Sequence, residues 1–399
     1  MKINTDPKKI EEVLKRGVVE VIERKHLKKE LLSGKKLTIK YGIDPTKPDI
    51  HLGHTIPLRK VEEFQKLGHR VVLIIGDFTA QIGDPSGRMK ARTLLSAKQA
   101  EENAKTYLEQ ANKIIDLSNI EVKKNSQWYN QMRLKDIIKL TQLFTVARIL
   151  ERDDFEKRLR QNLDVHLHEI IYPILQGYDS VVINADVEIG GTDQKFNMLT
   201  GRKLQKRLKK SQQDVITLPL LVGIDGKLKM SKTFGNYIGI SEKPEEQYGK
   251  IMSIPDRLIG DYFELCTRVP MEKVQEIKTG LKTGKINPRE AKARLAQEIV
   301  SMYHSKEAAQ KAAQEFERIF KEKKLPTKIP EIKVKEKFLP LLDLLVKTKL
   351  ASSKSEAKRL ILQKGVKIDG ALQKDWQKSV QIEKGMVIQV GKRRFAKLI

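Results

Sequence analysis

The spacing of apolar positions predicts a parallel sheet in the first half of the chain. Short apolar runs alternate with helical periodicity from residue 36 to about 222. Strands are predicted at 36–43, 70–76, 120–123, 181–185 and 215–221, and helices at 55–67, 96–116, 166–178 and 193–209. Such alternation is typical of parallel strands that are joined by crossover helices. We therefore predict an α/β fold with a doubly wound parallel sheet over residues 1–235, in which ligands bind at the carboxyl ends of the strands.

The pattern changes on both sides of the predicted sheet. Residues 7–33 are predicted to form two charged amphipathic helices, and residues 125–165 a helical insertion. From 236 to 325 only helical periodicity remains, which predicts an all-helical domain. A segment rich in lysine and proline, 326–337, is predicted to be a linker. Two helices and several short strands then indicate a small α+β domain over 338–399.

The charge of the chain favours a polyanionic partner. Its 78 lysines and arginines exceed its 51 acids and give a net charge of +27, so nucleic acid is the first candidate. The alternative is a lysine-rich surface held in ion-pair networks, but networks alone would leave many cations unpaired. Residues 338–399 carry 14 Lys/Arg minus 5 Asp/Glu, or +9, which predicts an RNA-binding domain. A merely solubilising appendage is the alternative for this segment.

Cysteine content and hydropathy indicate the compartment. Cys266 is the only cysteine, so an internal disulfide is excluded and a reducing compartment is natural. No apolar run approaches the ~20 residues that span a bilayer, and the amino-terminal region has no apolar signal-peptide core. We therefore expect a cytoplasmic protein with no membrane partner.

One loop combines the features of a phosphate site. Residues 44–54 read Asp-Pro-Thr-Lys-Pro-Asp-Ile-His-Leu-Gly-His and join a predicted strand to a predicted helix. The first turn of a helix offers unpaired N–H groups to an anion, and Gly53 lets a flat ligand approach the backbone. His51 and His54 share one helix face and can both donate to phosphate oxygens. The alternatives are a chance match, core polar contacts and a metal pair. A metal pair is the weakest, because no cysteine or acidic cluster lies nearby at ligand spacing, and we predict no metal site.

A second loop presents two lysines and two hydroxyl groups. Residues 229–233 read Lys-Met-Ser-Lys-Thr, and glycines at 223, 226 and 235 bracket them. Such a loop can fold over a triphosphate and neutralise negative charge as pyrophosphate leaves. A lone basic loop is usually a solvated surface, so this interpretation depends on its pairing with residues 44–54.

A predicted helix carries three polar side chains within two turns. Tyr172 and Gln176, four residues apart, share a face, and Asp179 continues it. An acid, an amide and a tyrosine that converge in the crevice could hold the ammonium group of an amino acid, and a further acid could recognise a hydroxyl group.

Two further loops bring polar side chains to the same predicted crevice. Asp84 follows the second predicted strand in a Gly-Asp-Pro-Ser-Gly loop, and Asp193 and Gln194 follow a strand and open a helix. The alternative is that both acids are only turn or helix caps.

In this order, the motifs resemble those of bacterial tyrosyl-tRNA synthetases over essentially the full chain. His-Leu-Gly-His and Lys-Met-Ser-Lys-Thr are similar to the two signatures of class I aminoacyl-tRNA synthetases, with Thr233 where serine is commoner. The tail resembles a small RNA-binding domain first seen in a ribosomal small-subunit protein. The resemblance implies a Rossmann-type catalytic domain that makes tyrosyl-adenylate from tyrosine and ATP and transfers tyrosine to tRNA(Tyr).

The resemblance also implies a role for each motif residue. Asp179 would accept the phenolic hydroxyl, and Gln194 would lie near the substrate carboxylate. The α-ammonium group would be bound by Tyr172, Gln176 and Asp84. ATP would be held by Asp44, Thr46, His51, Gly53, His54 and Asp193. The residues that would close on pyrophosphate are Lys229, Ser231, Lys232, Thr233, Arg88 and Arg92. The residues implied to be catalytic are His51, His54, Lys229, Lys232 and Thr46.

The implied partners are L-tyrosine, tRNA(Tyr) and ATP with Mg²⁺, with no bound protein cofactor. The family also implies a homodimer, for which the apolar helix 137–150 is the predicted contact. Burial within one subunit explains the apolar positions of that helix equally well.

One position departs from the resemblance. Relatives place a second phenol-binding tyrosine two residues before the glycine of the Gly-x-Asp-Pro-Thr run, where this chain has Lys40 followed by Tyr41. Adjacent side chains of a strand face opposite ways, so Tyr41 cannot simply replace the missing tyrosine. The sequence therefore leaves the second hydrogen bond to the phenol unassigned.

Three other functions fit parts of the pattern. A tryptophan-activating enzyme shares the fold and a similar Gly-x-Asp-Gln segment, but normally lacks the tail and the helix with tyrosine, glutamine and aspartate. A metabolic adenylyl- or cytidylyltransferase has a related His-x-Gly-His loop, and the RNA-binding tail argues against it. A non-catalytic RNA-binding protein would retain an inactive synthetase body, which the intact signatures disfavour.

Overall fold

The structure of the protein is a computed structural model that describes residues 2–86, 95–320, 329–391 and 394–399. The chain divides into two compact units, residues 1–305 and 306–399. Each unit buries apolar side chains of its own. The domain boundaries predicted at 235, 325 and 337 stay predictions.

The first unit is built on a sheet whose described strands number six. They are β1 (Glu20–Ile22), β2 (Thr38–Ile43), β3 (Arg70–Ile75), β4 (Glu121–Lys124), β5 (Val187–Gly191) and β6 (Asp214–Leu218). Their order across the sheet is β1-β6-β5-β2-β3-β4, and every neighbouring pair is parallel except β1 with β6. This order confirms the predicted doubly wound sheet. The direction of winding reverses between β2 and β5, which is where such sheets bind ligands.

The helices of the first unit are numbered in the order in which they occur along the chain. They are α1 (Pro7–Val13), α2 (Arg24–Leu32), α3 (Leu52–Lys66), α4 (Thr79–Ile82), α5 (Ala97–Ala111), α6 (Ser126–Tyr129), α7 (Leu134–Thr141), α8 (Val146–Leu150), α9 (Asp153–Arg160), α10 (Leu167–Val182), α11 (Lys195–Arg207), α12 (Pro244–Met252), α13 (Ile259–Cys266), α14 (Met271–Lys282) and α15 (Pro288–Tyr303). Helix α3 starts three residues before its predicted start, so residues 52–54 form its first turn. Among the described residues, no helix combines the length and the apolar character needed to cross a membrane.

The strand predicted at 181–185 is wrong, because α10 continues to Val182 and β5 follows it. Val181 is buried in the same apolar cluster as Ile174, two helical turns earlier. Tertiary packing on one helix face therefore overrides the preference of valine for strands. Asn184, which has a φ of 50°, lies just beyond the end of the helix.

The prediction of two helices over residues 7–33 is incomplete. Strand β1 lies between α1 and α2 and pairs with β6, with Val21 opposite Ile216. Three residues are too few to show an alternating pattern in the sequence. Only the pairing with β6, nearly 200 residues further along the chain, makes this segment a strand.

Residues 125–165 contain the short helices α6 to α9, which pack against α10. Leu140, Ile149 and Phe155 are buried in one cluster with Ile174 of α10. The helical insertion therefore supports the helix that carries the tyrosine, glutamine and aspartate of the third motif.

The single helix predicted at 137–150 is two helices, α7 and α8. The side chain of Thr145 accepts a hydrogen bond from the backbone N–H of Arg148 and caps the start of α8. Burial within one subunit explains only part of its apolar pattern, because Leu140 is buried whereas Val146 is exposed, and the dimer contact stays a prediction.

A buried ion pair joins α9 to α10. The side chains of Arg158 and Glu169 are 1% and 2% exposed and form two N–H···O bonds of 2.7 and 2.8 Å. Arg158→Leu would leave the carboxylate of Glu169 buried without its partner. We expect the free energy of unfolding, measured by urea denaturation, to fall by about 3–5 kcal/mol. Arg148→Leu is the matched control, because Arg148 pairs with Glu151 at the surface and should contribute ~1 kcal/mol or less. Equal losses in the two variants would contradict this prediction.

The second unit combines helices with short strands, which pair antiparallel except for one parallel pair at the edge of its larger sheet. Its helices are α16 (Lys306–Phe320), α17 (Leu341–Lys347) and α18 (Lys354–Leu362), and its strands are β7 (Glu331–Ile332), β8 (Phe338–Pro340), β9 (Val366–Ile368), β10 (Ala371–Leu372), β11 (Ser379–Gln381), β12 (Val387–Val390) and β13 (Arg394–Leu398). The strands described here form a five-stranded sheet, ordered β10-β9-β12-β13-β7, and a separate pair, β11 with β8. Leu341, Leu344 and Leu345 of α17 are buried in one core with Val366 and Val390. This arrangement confirms the predicted α+β fold of the tail.

Candidate active site

A cleft of about 340 Å³ opens where β2, β3, β5 and β6 end. It lies at the point of the sheet where the winding reverses, as expected for this architecture. The predicted site residues that line it are Asp44, Thr46, His51, Gly53, His54, Asp84, Tyr172, Gln176, Asp179, Asp193, Gln194, Lys229, Ser231, Lys232 and Thr233. Arg88 and Arg92 lie outside the residues that the structure describes.

The two histidines of the first motif are stacked and uncharged at neutral pH. His51 precedes the first residue of α3, and its ring lies 3.7 Å from the ring of His54. Burial, with smaller contributions from His54 and Lys232, lowers the pKa of His51 to about 2. Burial, with a smaller contribution from Lys232, lowers the pKa of His54 to about 4. The backbone N–H of His51 donates to Nδ1 of His54 over 3.4 Å, which places the ring proton of His54 on Nε2. Each histidine therefore offers one N–H donor and no positive charge.

Gly53 makes room for this stacking. A Cβ atom at Gly53 would lie 3.0 and 3.1 Å from two ring atoms of His51. The glycine is therefore required by the histidine ring as well as by any ligand that approaches the helix start.

Among the described residues, no group of three or more His, Cys, Asp or Glu side chains is arranged to hold a metal ion.

The loop with two lysines lies over the cleft, and carboxylates hold both lysines. Nζ of Lys229 lies 3.0 Å from Oδ2 of Asp193, and Lys232 forms an ion pair with Asp49. The hydroxyl of Ser231 accepts a hydrogen bond from the next turn of the loop and fixes its shape. Burial raises the pKa of Asp193, and Lys229 opposes that shift. Phosphate oxygens that enter the cleft would compete with these carboxylates for the same ammonium groups.

Asp179 is a buried carboxylate surrounded by hydrogen-bond donors. Its Oδ1 accepts from Nε1 of Trp128 (3.0 Å) and from the hydroxyl of Tyr129 (2.9 Å), and its Oδ2 accepts from Nδ2 of Asn125 (3.4 Å). Burial raises the pKa of Asp179 to about 6, although Lys40 and these donors lower it. At neutral pH the group is therefore ionised and can accept a hydrogen bond from a hydroxyl group in the cleft.

Asp44 connects the first motif to α10. Its two oxygens accept hydrogen bonds from the hydroxyls of Thr79 and Tyr172, both at 2.8 Å. A Cβ atom at Gly76 would overlap the carboxylate of Asp44 and the hydroxyl of Thr79, so only glycine fits there. A residue that the resemblance assigns to ATP thus also positions Tyr172, which the resemblance assigns to the amino acid.

Asp84 is both a turn cap and a cleft residue. Its Oδ1 accepts from the backbone N–H (3.0 Å) and the hydroxyl (2.7 Å) of Ser86, which is the predicted alternative role. Its Oδ2 accepts from Nε2 of Gln194 over 2.8 Å. Asn197 in turn donates to the side-chain oxygens of Gln194 (3.1 Å) and Gln176 (2.8 Å). One wall of the cleft is therefore a continuous network of a carboxylate and amides.

The position that departs from the resemblance is buried beneath the cleft. All three N–H groups of Lys40 are engaged, by the carbonyl of Gln176, the hydroxyl of Ser180 and the carboxylate of Glu188. Lys40 therefore has no free proton for a phenol. Tyr41, its neighbour on β2, is also buried, and both residues are at the wall of the cleft.

Sequence reasoning assigned no role to several residues of this region. They are Asp49, Thr79, Asn125, Trp128, Tyr129, Glu188 and Asn197. Lys40 did give a signal, because a lysine within a buried strand requires an acidic partner. Asn125, Trp128 and Tyr129 gave none, since their function depends on how α6 packs beside α10.

Residues 32–321 match the family model described as tRNA synthetases class I (W and Y). The chain belongs to this family. A second model, described as the tyrosine–tRNA ligase SYY-like C-terminal domain, matches residues 321–398 of this synthetase. The resemblance that the motifs indicated is therefore confirmed.

Curated relatives of this synthetase are similar along nearly their whole length. The tyrosine–tRNA ligase of Moorella thermoacetica is 49% identical over 390 residues, which cover 97% of this chain and 94% of that protein. The tyrosine–tRNA ligase of Dehalococcoides mccartyi is 48% identical over 398 residues and is covered completely. Among solved structures, tyrosyl-tRNA synthetase complexed with L-tyrosine from Archaeoglobus fulgidus has a TM-score of 0.64 at 22% identity and covers 77% of this chain and 100% of its own. That structural likeness supports the fold.

Proposed function

We propose that this synthetase is a tyrosine–tRNA ligase. The observation that carries the proposal is the buried carboxylate of Asp179 in the cleft, which at neutral pH is an acceptor for a hydroxyl group. A pocket for a purely apolar side chain would gain nothing from such a group, because burial of a carboxylate is costly even where other side chains donate to it. Relatives that bear the name tyrosine–tRNA ligase match almost the full chain and support the same conclusion.

Amino-acid-dependent exchange between ATP and pyrophosphate tests this function directly. Tyrosine is expected to support exchange far better than any other of the common amino acids. Exchange that depends on tryptophan would instead indicate the tryptophan branch of the family. The absence of exchange with every amino acid would favour a non-catalytic RNA-binding protein.

In the first step, a carboxylate oxygen of tyrosine attacks the α-phosphorus of ATP. The bond from this phosphorus to the bridging oxygen breaks, so tyrosyl-adenylate forms and pyrophosphate leaves with the electron pair. No protein nucleophile is needed, because the substrate supplies it. Catalysis then rests on alignment of the reactants and on stabilisation of the departing charge.

We assign the cleft residues to the two substrates of this step. Tyrosine would be bound by Asp84, Tyr172, Gln176, Asp179 and Gln194. ATP would be bound by Asp44, Gly53, Asp193, Ser231, Lys232, Thr233, Arg88 and Arg92.

The residues assigned to catalysis are His51, His54, Lys229, Lys232 and Thr46. The neutral histidines would donate N–H groups to phosphate oxygens and would not act as bases, because burial already disfavours their protonated forms. The two lysines would exchange their carboxylate partners for the oxygens of the leaving pyrophosphate.

In the second step, a hydroxyl of the terminal ribose of tRNA attacks the carbonyl carbon of the adenylate. The bond from that carbon to the phosphate oxygen breaks, and AMP leaves. The ester of tyrosine with tRNA(Tyr) is the product.

The substrates imply the other partners. Mg²⁺ would enter with ATP as part of the substrate, since phosphate oxygens are its preferred ligands. The basic tail would contact the phosphates of tRNA(Tyr), and its net charge of 14 minus 5, or +9, supports this role. We also place the protein in the cytoplasm, where ATP and tRNA are available.

We further propose that the protein is a homodimer that buries the outer face of the insertion. Leu134 and Val146 of the insertion and Leu167 at the adjoining start of α10 are 76%, 58% and 71% exposed, although the inner sides of the same helices are packed. Val146→Glu would place a carboxylate in the interface, and we expect it to weaken dimerisation by at least ~10²-fold in sedimentation equilibrium. Val19→Glu is the matched control, because Val19 is also 58% exposed but lies outside this face. A dimer of unchanged affinity in Val146→Glu would reject this interface.

A further inference from the structure

A buried ion pair lies beneath the amino-acid half of the cleft. Lys40 of β2 and Glu188 of β5 are 0% and 1% exposed, and their charged atoms are 2.9 Å apart. The two residues are direct partners in the pairing of β2 with β5, at the point where the winding of the sheet reverses. A buried pair of this kind seldom adds net stability compared with apolar residues of similar size. Its presence next to a binding cleft therefore calls for a role in geometry or charge.

Lys40 holds one turn of α10. Its Nζ donates to the backbone carbonyl of Gln176 and to the hydroxyl of Ser180, both over 2.7 Å. These two acceptors are four residues apart, so the ammonium group spans one helical turn. Asp179 lies within that turn and precedes Ser180 directly. The position of its carboxylate in the cleft is therefore tied to Lys40.

Glu188 completes the same network from the neighbouring strand. One of its oxygens accepts from Nε2 of Gln176 over 3.1 Å, and the other accepts from the hydroxyl of Ser180 over 3.1 Å and from the amide of Gln213. The hydroxyl of Ser180 therefore accepts a hydrogen bond from Lys40 and donates one to Glu188. The backbone and the side chain of Gln176 are fixed by the two members of one ion pair.

Lys40 also acts on Asp179 through its charge. Burial raises the pKa of Asp179, and the positive charge of Lys40 is the largest influence that opposes it. The other titratable groups in contact with this pair of residues are Tyr129 of α6, which donates to Asp179, and Glu188 of β5, which binds Lys40. Tyr129 is uncharged at neutral pH, because burial raises the pKa of its phenol. The positive charge of Lys40 thus favours the ionised form of Asp179, which can accept a hydrogen bond from a hydroxyl group.

We propose that Lys40, held by Glu188, is a positioning residue that sets the selectivity of this cleft for tyrosine over phenylalanine. The resemblance places a phenol-binding tyrosine at this position, whereas Lys40 would act without a hydrogen bond to the substrate, because its three N–H groups are already engaged. The same strand position would thereby contribute to the recognition of tyrosine either through a tyrosine that binds the phenol or through a lysine that positions Asp179. This inference rests on the proposed function, since it requires that Asp179 recognises the phenolic hydroxyl.

The test uses the full chain and a variant that removes both charges, Lys40→Met/Glu188→Met. The double change removes both members of the ion pair together, so neither Lys40 nor Glu188 is left as an unpaired charge, and the protein is expected to fold. In pyrophosphate exchange, the KM for tyrosine should rise about tenfold or more, and the ratio of kcat/KM for tyrosine over phenylalanine should fall about tenfold. The KM for ATP should stay within about twofold, because the pair lies beneath the amino-acid half of the cleft.

The pH profile separates the charge effect from a loss of structure. In the wild type, kcat/KM for tyrosine should decline as the pH falls through about 6, because the protonated carboxyl of Asp179 no longer offers a charged acceptor to the phenolic hydroxyl. Without Lys40 the ionised form is less favoured, so this decline should begin about one pH unit higher. The variant Glu188→Gln keeps the charge of Lys40. Its decline in kcat/KM for tyrosine should therefore not move to higher pH.

The control is the removal of the other buried pair, in Arg158→Met/Glu169→Met. This pair is equally buried but does not line the cleft, so its loss should leave the selectivity and the pH profile unchanged. Wild-type selectivity and an unshifted decline in Lys40→Met/Glu188→Met would overturn the inference. Failure of the proposed function would look different, because the wild type would then show no exchange that depends on tyrosine.

Discussion

In Asp179→Ala, the preference for tyrosine over phenylalanine should fall strongly. A site built to bond a hydroxyl rejects the analogue that lacks it by roughly 10⁵, a value that was measured for tyrosyl enzymes themselves. Much of this ratio comes from a hydrogen bond to a buried, charged acceptor, which tyrosine can donate and phenylalanine cannot. A hydrogen bond to a charged group contributes up to ~3 kcal/mol, so the ratio of kcat/KM values should fall by ~10² or more. The ratio should fall because kcat/KM for tyrosine decreases, whereas kcat/KM for phenylalanine should change little.

The side chain of Asp179 also binds Trp128 and Tyr129, so its loss could disturb the local packing. Asp179→Asn retains the shape and is the second variant, for which the same direction of change is expected. Asp186→Ala is the control, because Asp186 accepts a backbone hydrogen bond from Thr38 outside the cleft. If Asp179→Ala and Asp179→Asn both kept the selectivity of the wild type, Asp179 would not recognise the phenol.

Lys232→Ala should slow the formation of tyrosyl-adenylate by about 10²-fold or more. Removal of one group that stabilises developing negative charge typically costs ~3 kcal/mol of the activation barrier. Lys232 is 11% exposed and is already held at the cleft by Asp49, so its ammonium group is close to where the leaving pyrophosphate would lie. The affinity for tyrosine should remain within about twofold, because Lys232 belongs to the ATP half of the cleft. Single-turnover rapid quench measures the first quantity, and equilibrium dialysis with tyrosine measures the second.

Lys227→Ala is the matched control, since Lys227 belongs to the same loop region but is exposed and does not line the cleft. Its rate of adenylate formation should equal that of the wild type. An unchanged single-turnover rate in Lys232→Ala would remove this lysine from the catalytic residues. Equal losses in both variants would point to a general effect of positive charge on the affinity for ATP.

Much of the site could be predicted because its motifs are local. A strand, a loop with prolines and a helix that starts with His-Leu-Gly-His are encoded within about twenty residues, and the chemistry of a helix start follows from the backbone alone. Tyr172, Gln176 and Asp179 could be placed on one helix face for the same reason. The order of strands and helices likewise follows from the period of apolar residues.

Burial and long-range partners could not be predicted in this way. The sequence located Asp179 but not the donors on its carboxylate, because Trp128 and Tyr129 are about fifty residues away along the chain. It suggested phosphate-binding histidines, whereas their lack of charge depends on how deeply α3 is packed. The strand predicted at 181–185 failed for a related reason, since the packing of α10 outweighed the local preference of its valines.

The sequence by itself determined the family, the doubly wound sheet and many of the residues that line the cleft. Only the tertiary structure decided which of these residues are charged and what holds them in place. Lys40 meets Gln176 across 136 residues of chain, and Lys232 meets Asp49 across 183. The physical reason is that hydrogen bonds and periodicity act over a few residues, whereas the free energy of a charge depends on everything that replaces water around it.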